Sequence, residues 1–196
     1  PIGVVYGIQP WNFPFYQPTR FAAPNLMAGN VVLTKHASNV PQCAMGLESI
    51  FAEAGFPEGV FTNLMIGSAQ VERVIRDPRV HAVTLTGSEP AGRAVASTAA
   101  SEIKKSVLEL GGSDAFVVLD DADLEWTLEQ GVISRFLNAG QSCIAAKRFI
   151  VTRPAAGDFA DRFAARIGAL RVGDPMDRSV DVGPLARADL REEVED

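Results

Sequence analysis

The sequence is poor in the residues that build disulfide frameworks and metal centres. It holds only two cysteines and two histidines, Cys43, Cys143, His36 and His81, and these four residues show no metal-ligand spacing. Two cysteines fit a reducing, cytoplasmic protein better than a secreted one. We therefore expect no metal site, and we interpret both histidines as ordinary surface or core residues.

Positive charge and long apolar runs are also scarce. Acidic residues outnumber basic ones by 24 to 18, and the net charge of -6 gives no reason to expect nucleic acid or an anionic membrane as a partner. No apolar run approaches the length of a membrane span, and the opening segment lacks the basic start of a signal peptide. With 47% hydrophobic residues, the composition predicts a soluble globular protein of one or two domains.

An initiator methionine is missing as well. The sequence opens in a strand-like segment, residues 3–9, and stops in an acidic run, residues 191–196. We therefore expect a chain that is truncated at both ends and forms part of something larger.

Strand-like and helix-like patterns alternate along the whole chain. Short apolar runs rich in β-branched residues recur, and helical periodicity fills most of the segments between them. This alternation predicts an α/β fold with a Rossmann-type, doubly wound parallel sheet. A change of composition at residues 111–114 predicts one domain at residues 1–111 and a second at residues 112–196. The predicted strands are residues 3–9, 30–35, 60–66, 82–86, 106–110, 115–119 and 148–152.

The usual glycine-rich phosphate loops are absent. There is no G-x-G-x-x-G, and Arg93 and Ala94 stand where a P-loop needs lysine and serine or threonine, so triphosphate hydrolysis is not expected. A strand followed by Gly87, Ser88 and a helix start can bind a pyrophosphate through free backbone N–H groups. An ordinary capped helix is the commoner outcome for such a segment.

Cys143 lies among small and polar residues in the segment NAGQSCIAAKR, residues 138–148. An accessible thiolate at this position would be a nucleophile, although a lone cysteine is more often a small buried core residue. We interpret Cys43, on the apolar face of a predicted helix, as such a core residue.

Two further polar residues follow predicted strands, at the end of a parallel sheet where ligands bind. Glu109 stands between two leucines and is either exposed at an edge or held in a partly apolar pocket as a base. Asn12, between Trp11 and Phe13 and flanked by prolines, is a rigid amide that would stabilise an oxyanion or simply form a turn.

Taken together, six short motifs resemble those of the aldehyde dehydrogenase superfamily. They occur in the family's order and spacing, and the segments KHA, ELGGSD and AAKRF are most similar to bacterial succinate-semialdehyde dehydrogenases. The motifs are PWNFP (residues 10–14), TKHAS (34–38), GFPEGV (55–60), LTGS (85–88), LELGG (108–112) and GQSC (140–143).

The resemblance implies NAD- or NADP-dependent oxidation of an aldehyde, with succinic semialdehyde as the expected substrate. It implies that Cys143 attacks the aldehyde carbon and that the Asn12 amide and the Cys143 backbone N–H hold the oxyanion. Glu109 would then activate the water that releases the acid. Residues 1–111 would bind the nucleotide, and residues 112–196 would begin the catalytic domain. The implied cofactor-binding residues are Ile8, Trp11, Lys35, Ser38, Gly87, Ser88 and Leu110.

Two positions bear on specificity. Ser38 stands where strictly NAD-using members often carry a glutamate, so we expect NADP⁺ to be accepted, alongside NAD⁺. Arg20 matches a substrate-carboxylate arginine of the animal succinate-semialdehyde enzymes, whereas the second such arginine aligns with Leu137, with Arg135 nearby. The resemblance also implies a homodimer or homotetramer for the full-length enzyme.

Three alternatives remain open from the sequence. The first is a cysteine hydrolase or acyltransferase that uses Cys143 and Glu109 without a nicotinamide. The second is an inactive fragment that binds a nucleotide at most. The third keeps the dehydrogenase chemistry but acts on another short aldehyde.

Overall fold

The computed structural model describes residues 1–195, and the chain divides into two compact units, one at Pro1–Gly111 and one that starts at Gly112. Residues 1–195 contain seven strands and seven α-helices, which alternate as the sequence predicts except that two strands follow each other at residues 105–118 and two helices at residues 153–195. The α/β architecture with a parallel sheet is therefore confirmed.

Five parallel strands form the sheet of the first unit. They are β1 (Val4–Ile8), β2 (Val31–Lys35), β3 (Phe61–Asn63), β4 (Val80–Thr86) and β5 (Lys105–Glu109). Their spatial order is β3-β2-β1-β4-β5. The chain thus starts at the centre, runs outward through β2 and β3, and returns to the other side of β1. The strand order reverses between β1 and β4, and this reversal point is where ligands bind in open parallel sheets.

Helices cover both faces of this sheet. On one face, Ala22 and Leu47 pack against Val32 and Phe61. On the other face, Ile75, Val95 and Ala99 pack with Tyr6, Val83 and Leu85 of the central strands. The helices of this unit are α1 (Tyr16–Met27), α2 (Pro41–Glu53), α3 (Val71–Arg76) and α4 (Glu89–Ser101).

Helix α1 continues through Pro18 and Pro24, although proline ordinarily bends or breaks a helix. Pro18 lies in the first turn, where a missing N–H costs little. Pro24 removes a single i to i−4 hydrogen bond, and the packing of buried Pro18 and Ala22 offsets that loss. Tertiary packing outweighs local propensity here.

Strand β3 is shorter than the run of residues 60–66 predicts. It lies at the sheet edge and pairs only with β2, over Phe61–Asn63. The strand ends at Asn63. Leu64 and Ile66, which follow it, are apolar, and the sequence pattern therefore predicts a longer strand than the structure has.

The second unit contains a two-stranded parallel sheet and three helices. Leu128 and Phe159 pack with Val118 in its core, and Phe149 contacts Phe163 at a ring-centroid distance of 4.6 Å. The alternate residues Val117 and Ile150 are exposed, so the sheet of this unit is covered on one face. Its elements are β6 (Asp114–Val118), α5 (Leu124–Phe136), β7 (Ala146–Val151), α6 (Arg153–Gly168) and α7 (Ala188–Glu195).

The longest helix, α6, has 16 residues. Among residues 1–195, no helix is both long enough and apolar enough to cross a bilayer.

Candidate active site

The carboxyl ends of the central strands lie side by side in the first unit. Ile8 at the end of β1 pairs with Lys35 of β2 and with Leu85 of β4, and Thr86 pairs with Glu109 of β5. Strand pairing therefore places the predicted residues Ile8, Lys35 and Glu109 along one edge of the sheet, and the predicted Gly87 and Ser88 directly follow β4 at the same edge. This edge includes the reversal point between β1 and β4.

Lys35 is the most buried charged residue at this edge. Lys35 is the last residue of β2 and is buried. Burial lowers the pKa of its ammonium group. No hydrogen bond or ion pair of its ammonium occurs among residues 1–195. A half-enclosed amine without a protein partner is suited to bind the hydroxyl or phosphate oxygens of a ligand.

Asn12 lies in the loop that follows β1, and a backbone contact orients its amide. The Phe13 N–H donates to Asn12 Oδ1 at 3.1 Å. Because Oδ1 accepts this bond, the amide nitrogen faces away from Phe13. The donor end of the side chain is thus fixed by its own loop, as an oxyanion donor requires.

A histidine that the sequence left without a role holds this loop. His36 is buried directly after β2, and its Nε2 lies 2.9 Å from the carbonyl oxygen of Pro14. The Pro14 carbonyl is available because Pro18, four residues later, has no N–H to donate. A carbonyl only accepts, so His36 donates from Nε2. Burial lowers the pKa of His36, which favours the neutral ring.

The start of α4 follows β4 at the same edge. Ser88 occupies the N-cap position with extended backbone angles, and its side chain makes no capping bond. The Gly87 N–H donates to the carbonyl oxygen of Glu109 at 3.0 Å, which ties this segment to β5. Leu110 packs against Gly92, where a Cβ would lie 2.7 Å from Leu110 Cδ2. The helix start is therefore drawn close to the LELGG segment.

Glu109 contacts the predicted substrate arginine. Arg20 Nη2, on α1, lies 3.5 Å from Glu109 Oε1, and the two side chains are 53% and 50% exposed. Of the two surroundings that the sequence left open for Glu109, the structure shows the exposed edge. Such an exposed pair is weak and exchanges readily for a ligand carboxylate.

Cys143 lies in a backbone of unusual conformation in the second unit. After α5, Asn138, Ala139 and Gly140 adopt positive φ angles of 55°, 56° and 76° in succession. This region suits glycine and is costly for alanine. The cysteine itself is half-buried, and Ser142 before it is buried. Three such residues in a row turn the chain sharply just before the thiol.

Side chains brace this cysteine loop, residues 138–147, and sequence reasoning missed them. Gln141 donates from Nε2 to the Asn138 carbonyl at 3.1 Å and accepts from the Ala186 N–H at 2.8 Å. Lys147, at the start of β7, donates to the carbonyl oxygens of Ser142, Cys143 and Ala145. The sequence carries no signal for these contacts, because they depend on where the chain turns.

The remaining predicted residues lie in the loops after β1 and β2 and on α2. Trp11 is half-buried in the loop after β1, and Ser38 is exposed between β2 and α2. Cys43 is half-buried on α2. Within residues 1–195, no group of three or more His, Cys, Asp or Glu side chains could hold a metal ion. Every predicted site residue but Cys143 thus belongs to the first unit.

Comparison with known proteins gives one family over the full length. The family described as "Aldehyde dehydrogenase family" matches residues 1–196. A Mycobacterium tuberculosis protein named as an NADP(+) succinate-semialdehyde dehydrogenase is 58% identical over 194 residues, which cover 99% of this chain and 42% of that protein. A Mycobacterium leprae protein named in the same way is 57% identical over 195 residues, covering 100% of this chain and 43% of that protein. The chain thus spans less than half the length of these relatives.

Solved structures of two succinate-semialdehyde dehydrogenases superpose closely on this chain. The succinic semialdehyde dehydrogenase of Streptococcus pyogenes, in complex with NADP⁺, superposes with a TM-score of 0.96 at 43% identity, covering 98% of this chain and 42% of that one. The succinate-semialdehyde dehydrogenase of Burkholderia pseudomallei superposes with a TM-score of 0.96 at 35% identity, covering 100% of this chain and 41% of that one.

Proposed function

Because the chain belongs to the aldehyde dehydrogenase family, we propose that it carries the nucleophile, base and oxyanion donors of an NAD(P)-dependent enzyme that oxidises an aldehyde to a carboxylic acid. The observation that carries the proposal is the match of the family pattern to residues 1–196 together with the placement of its predicted residues. Lys35, Ser88 and Glu109 lie at the carboxyl edge of one parallel sheet, and Cys143 lies in a braced loop.

Each residue has a defined chemical role in this proposal. The Cys143 thiolate attacks the aldehyde carbon and forms a thiohemiacetal. The Asn12 amide and the Cys143 backbone N–H donate to its oxyanion, which lowers the barrier to hydride loss. Loss of hydride leaves a thioester on Cys143. Glu109 takes a proton from the water that hydrolyses this thioester, and the carboxylic acid leaves.

The cofactor-binding part of the proposal fits the residues present. The Lys35 ammonium, which has no hydrogen-bond or ion-pair partner among residues 1–195, is suited to ribose or phosphate oxygens. The uncapped first turn of α4 at Ser88 is suited to a pyrophosphate. The exposed Ser38 hydroxyl places no negative charge near a 2′-phosphate, which supports use of NADP⁺. When bound, the nicotinamide supplies a hydride acceptor.

Succinic semialdehyde is the proposed substrate. The support is the naming of relatives at 58% and 57% identity and the position of Arg20 beside Glu109. A distal carboxylate that displaces Glu109 from Arg20 would gain a guanidinium partner and leave the Glu109 carboxylate to act on water. The homo-oligomer and the cytoplasmic location stay predictions.

The test uses the protein expressed from its complete reading frame. Reduced cofactor and succinate are measured together, and the proposal expects equal amounts and no acid without NADP⁺ or NAD⁺. Cys143→Ala should reduce turnover by about 10⁴-fold or more, whereas the matched variant Cys43→Ala should leave turnover unchanged. Acid formation or ester hydrolysis that needs no cofactor, with no aldehyde-dependent reduction of NADP⁺ or NAD⁺, would instead show a cysteine hydrolase.

Substrate choice has its own test. Arg20→Gln should raise the KM for succinic semialdehyde about tenfold, since a charge-assisted pair of ~1.4 kcal/mol is lost, and leave the KM for propionaldehyde unchanged. The control Arg93→Gln removes an exposed arginine of α4. An Arg20→Gln enzyme with an unaltered KM for succinic semialdehyde would contradict the proposed role of this arginine.

A further inference from the structure

We infer that Lys147 is a positioning residue that fixes the two peptide planes on either side of Cys143, and with them the backbone N–H that would serve as an oxyanion donor. The inference deepens the proposed function and rests on it. It assigns a role to Lys147, which lies in the AAKRF segment but to which neither the motifs nor their resemblance gave a function.

The first support is the set of bonds that Lys147 makes. Its Nζ lies 2.9 Å from the Cys143 carbonyl oxygen, 3.1 Å from that of Ala145 and 3.2 Å from that of Ser142. An ammonium group has three N–H donors, so all of them are directed into the cysteine loop. Each bond is charge-assisted and stronger than a neutral one.

The second support is that two of these carbonyl groups belong to the peptides on either side of Cys143. The peptide between Ser142 and Cys143 carries the Ser142 carbonyl and the Cys143 N–H, which point in opposite directions across a trans bond. The Ala145 N–H also donates to the Ser142 carbonyl, at 3.2 Å. With this carbonyl held from two donors, the Cys143 N–H is directed away from Lys147.

The peptide on the other side of Cys143 is held by the same ammonium. The Cys143 carbonyl, which belongs to the peptide with Ile144, is the nearest acceptor of Lys147. Fixing both planes fixes the direction of the Cα–Cβ bond and therefore the range of positions open to the sulfur. Lys147 thus sets the direction of both the Cys143 side chain and the Cys143 N–H.

The backbone hydrogen bonds of the loop, from Gln141 to the Asn138 carbonyl and from Ala145 to the Ser142 carbonyl, leave the Cys143 carbonyl to Lys147. Asn138, Ala139 and Gly140 have left-handed angles, so no regular hydrogen-bond ladder continues from α5 to Cys143. The N–H of Gln141 donates to the Asn138 carbonyl within the turn, and beyond it the Lys147 bonds hold the three residues at and around the thiol.

The first unit offers a matched lysine. Lys104 Nζ donates to the carbonyl oxygens of Ile75 and Asp77, both at 2.6 Å, at the end of α3. The chemistry is the same, an ammonium on backbone carbonyls, but the segment holds no predicted site residue. A variant at Lys104 therefore reports the purely structural effect of losing such a clamp.

The experiment compares Lys147→Met, Lys147→Arg and Lys104→Met in the protein expressed from its complete reading frame. We expect Lys147→Met to lower kcat and the first-turnover rate of cofactor reduction about 10-fold to 100-fold, a part of the loss caused by removing a whole oxyanion donor. The KM for cofactor should stay within twofold. Lys147→Arg keeps the charge and the donors and should recover most of kcat.

Lys104→Met should lower the midpoint of thermal unfolding and leave kcat unchanged. Unaltered first-turnover rates in Lys147→Met, beside an active wild type, would overturn the role of Lys147 alone. So would a loss in Lys147→Met that Lys147→Arg does not restore, or a kcat loss of the same size in Lys104→Met. A wild type without aldehyde-dependent cofactor reduction would overturn the proposed function, and this inference with it.

Discussion

The two units hold their predicted site residues by different means. In the first unit, Ile8, Lys35 and Glu109 end paired strands, and the register of a five-stranded sheet sets their positions. In the second unit, Cys143 lies in an irregular loop that side chains such as Lys147 brace from outside. The strand ends depend on many backbone bonds at once, whereas the loop depends on a few individual contacts.

This difference indicates where substitutions should be tolerated. A substitution at a strand end should change the chemistry of the side chain and leave the backbone unchanged, because the hydrogen bonds between the strands hold the backbone in place. A residue in the cysteine loop carries conformation as well as chemistry. Variants in the first unit should therefore separate function from stability, and variants in the loop should couple the two.

Among the variants that compare the two units, the largest effect is expected at Asn12 in the first unit. Asn12→Asp keeps the oxygen that accepts from the Phe13 N–H but replaces the amide donor with a second carboxylate oxygen. We expect kcat to fall by about 10² to 10³-fold, the loss of one oxyanion donor, with the unfolding midpoint unchanged. Steady-state kinetics and thermal unfolding measure the two quantities.

Asn39→Asp, at an exposed position between β2 and α2, is the matched control for the change of charge. It should keep the wild-type kcat. A large loss of stability in Asn12→Asp would show that the amide holds the loop together, and the contrast between the two units would then fail.

The next largest effect, on both stability and kcat, is expected at Gly140 in the cysteine loop. Gly140 has a φ of 76°, and a Cβ there would lie 2.9 Å from Arg135 Nη1 and 3.1 Å from the Arg135 carbonyl oxygen. Gly140→Ala should therefore destabilise the protein by about 1–3 kcal/mol and lower kcat as well. Denaturant unfolding and turnover are measured on the same sample.

Gly87→Ala in the first unit is the companion variant. Gly87 has no positive φ, and a Cβ there would meet Leu85 at an ordinary 3.5 Å. Its free energy of unfolding should change by less than about 0.5 kcal/mol. Equal destabilisation by the two alanines would contradict the idea that the loop is the more constrained of the two.

The sequence predicted the regular parts of the molecule well and the irregular parts poorly. Strands β1, β2 and β4 follow from apolar runs rich in β-branched residues, because such runs suit a sheet buried on both faces. The continuity of α1 through Pro18 and Pro24 did not follow, because packing on the sheet decides it.

Site residues divide in the same way. Lys35, Ser88 and Glu109 could be placed at one edge because the ends of parallel strands meet there. The left-handed run at Asn138 and Ala139 and the bonds of Lys147 could not be predicted, since Asn and Ala carry no strong preference for that conformation and the Lys147 bonds join carbonyls to a side chain across a turn. Local propensity does not encode contacts that exist only after the chain has turned.

A smaller effect is expected at Ser38, exposed just after β2. Ser38→Glu should shift the NADP⁺ to NAD⁺ preference at least about tenfold toward NAD⁺, ~1.4 kcal/mol, because the carboxylate repels a 2′-phosphate and accepts from ribose hydroxyls. The ratio of kcat/KM for the two cofactors is the measurement. Asn39→Asp, one residue further on, should shift the ratio much less, and an unchanged ratio in Ser38→Glu would remove Ser38 from the cofactor-binding set.

The smallest effect concerns His36 of the TKHAS segment, which bonds to the Pro14 carbonyl of the PWNFP segment. Its folded-state pKa lies below the ordinary 6.5 because burial disfavours the charged ring. The unfolded chain therefore binds a proton more readily, so the contribution of His36 to stability is complete above about pH 6.5 and is lost as the pH falls below it. His36→Gln should unfold with a weaker dependence on pH between 7 and 5, and at pH 7 it should be less stable by about 1 kcal/mol if the new side chain does not reach Pro14. Identical slopes for wild type and His36→Gln would mean that the loop after β1 is held by the sheet alone, and the first unit would then need no side-chain brace at all.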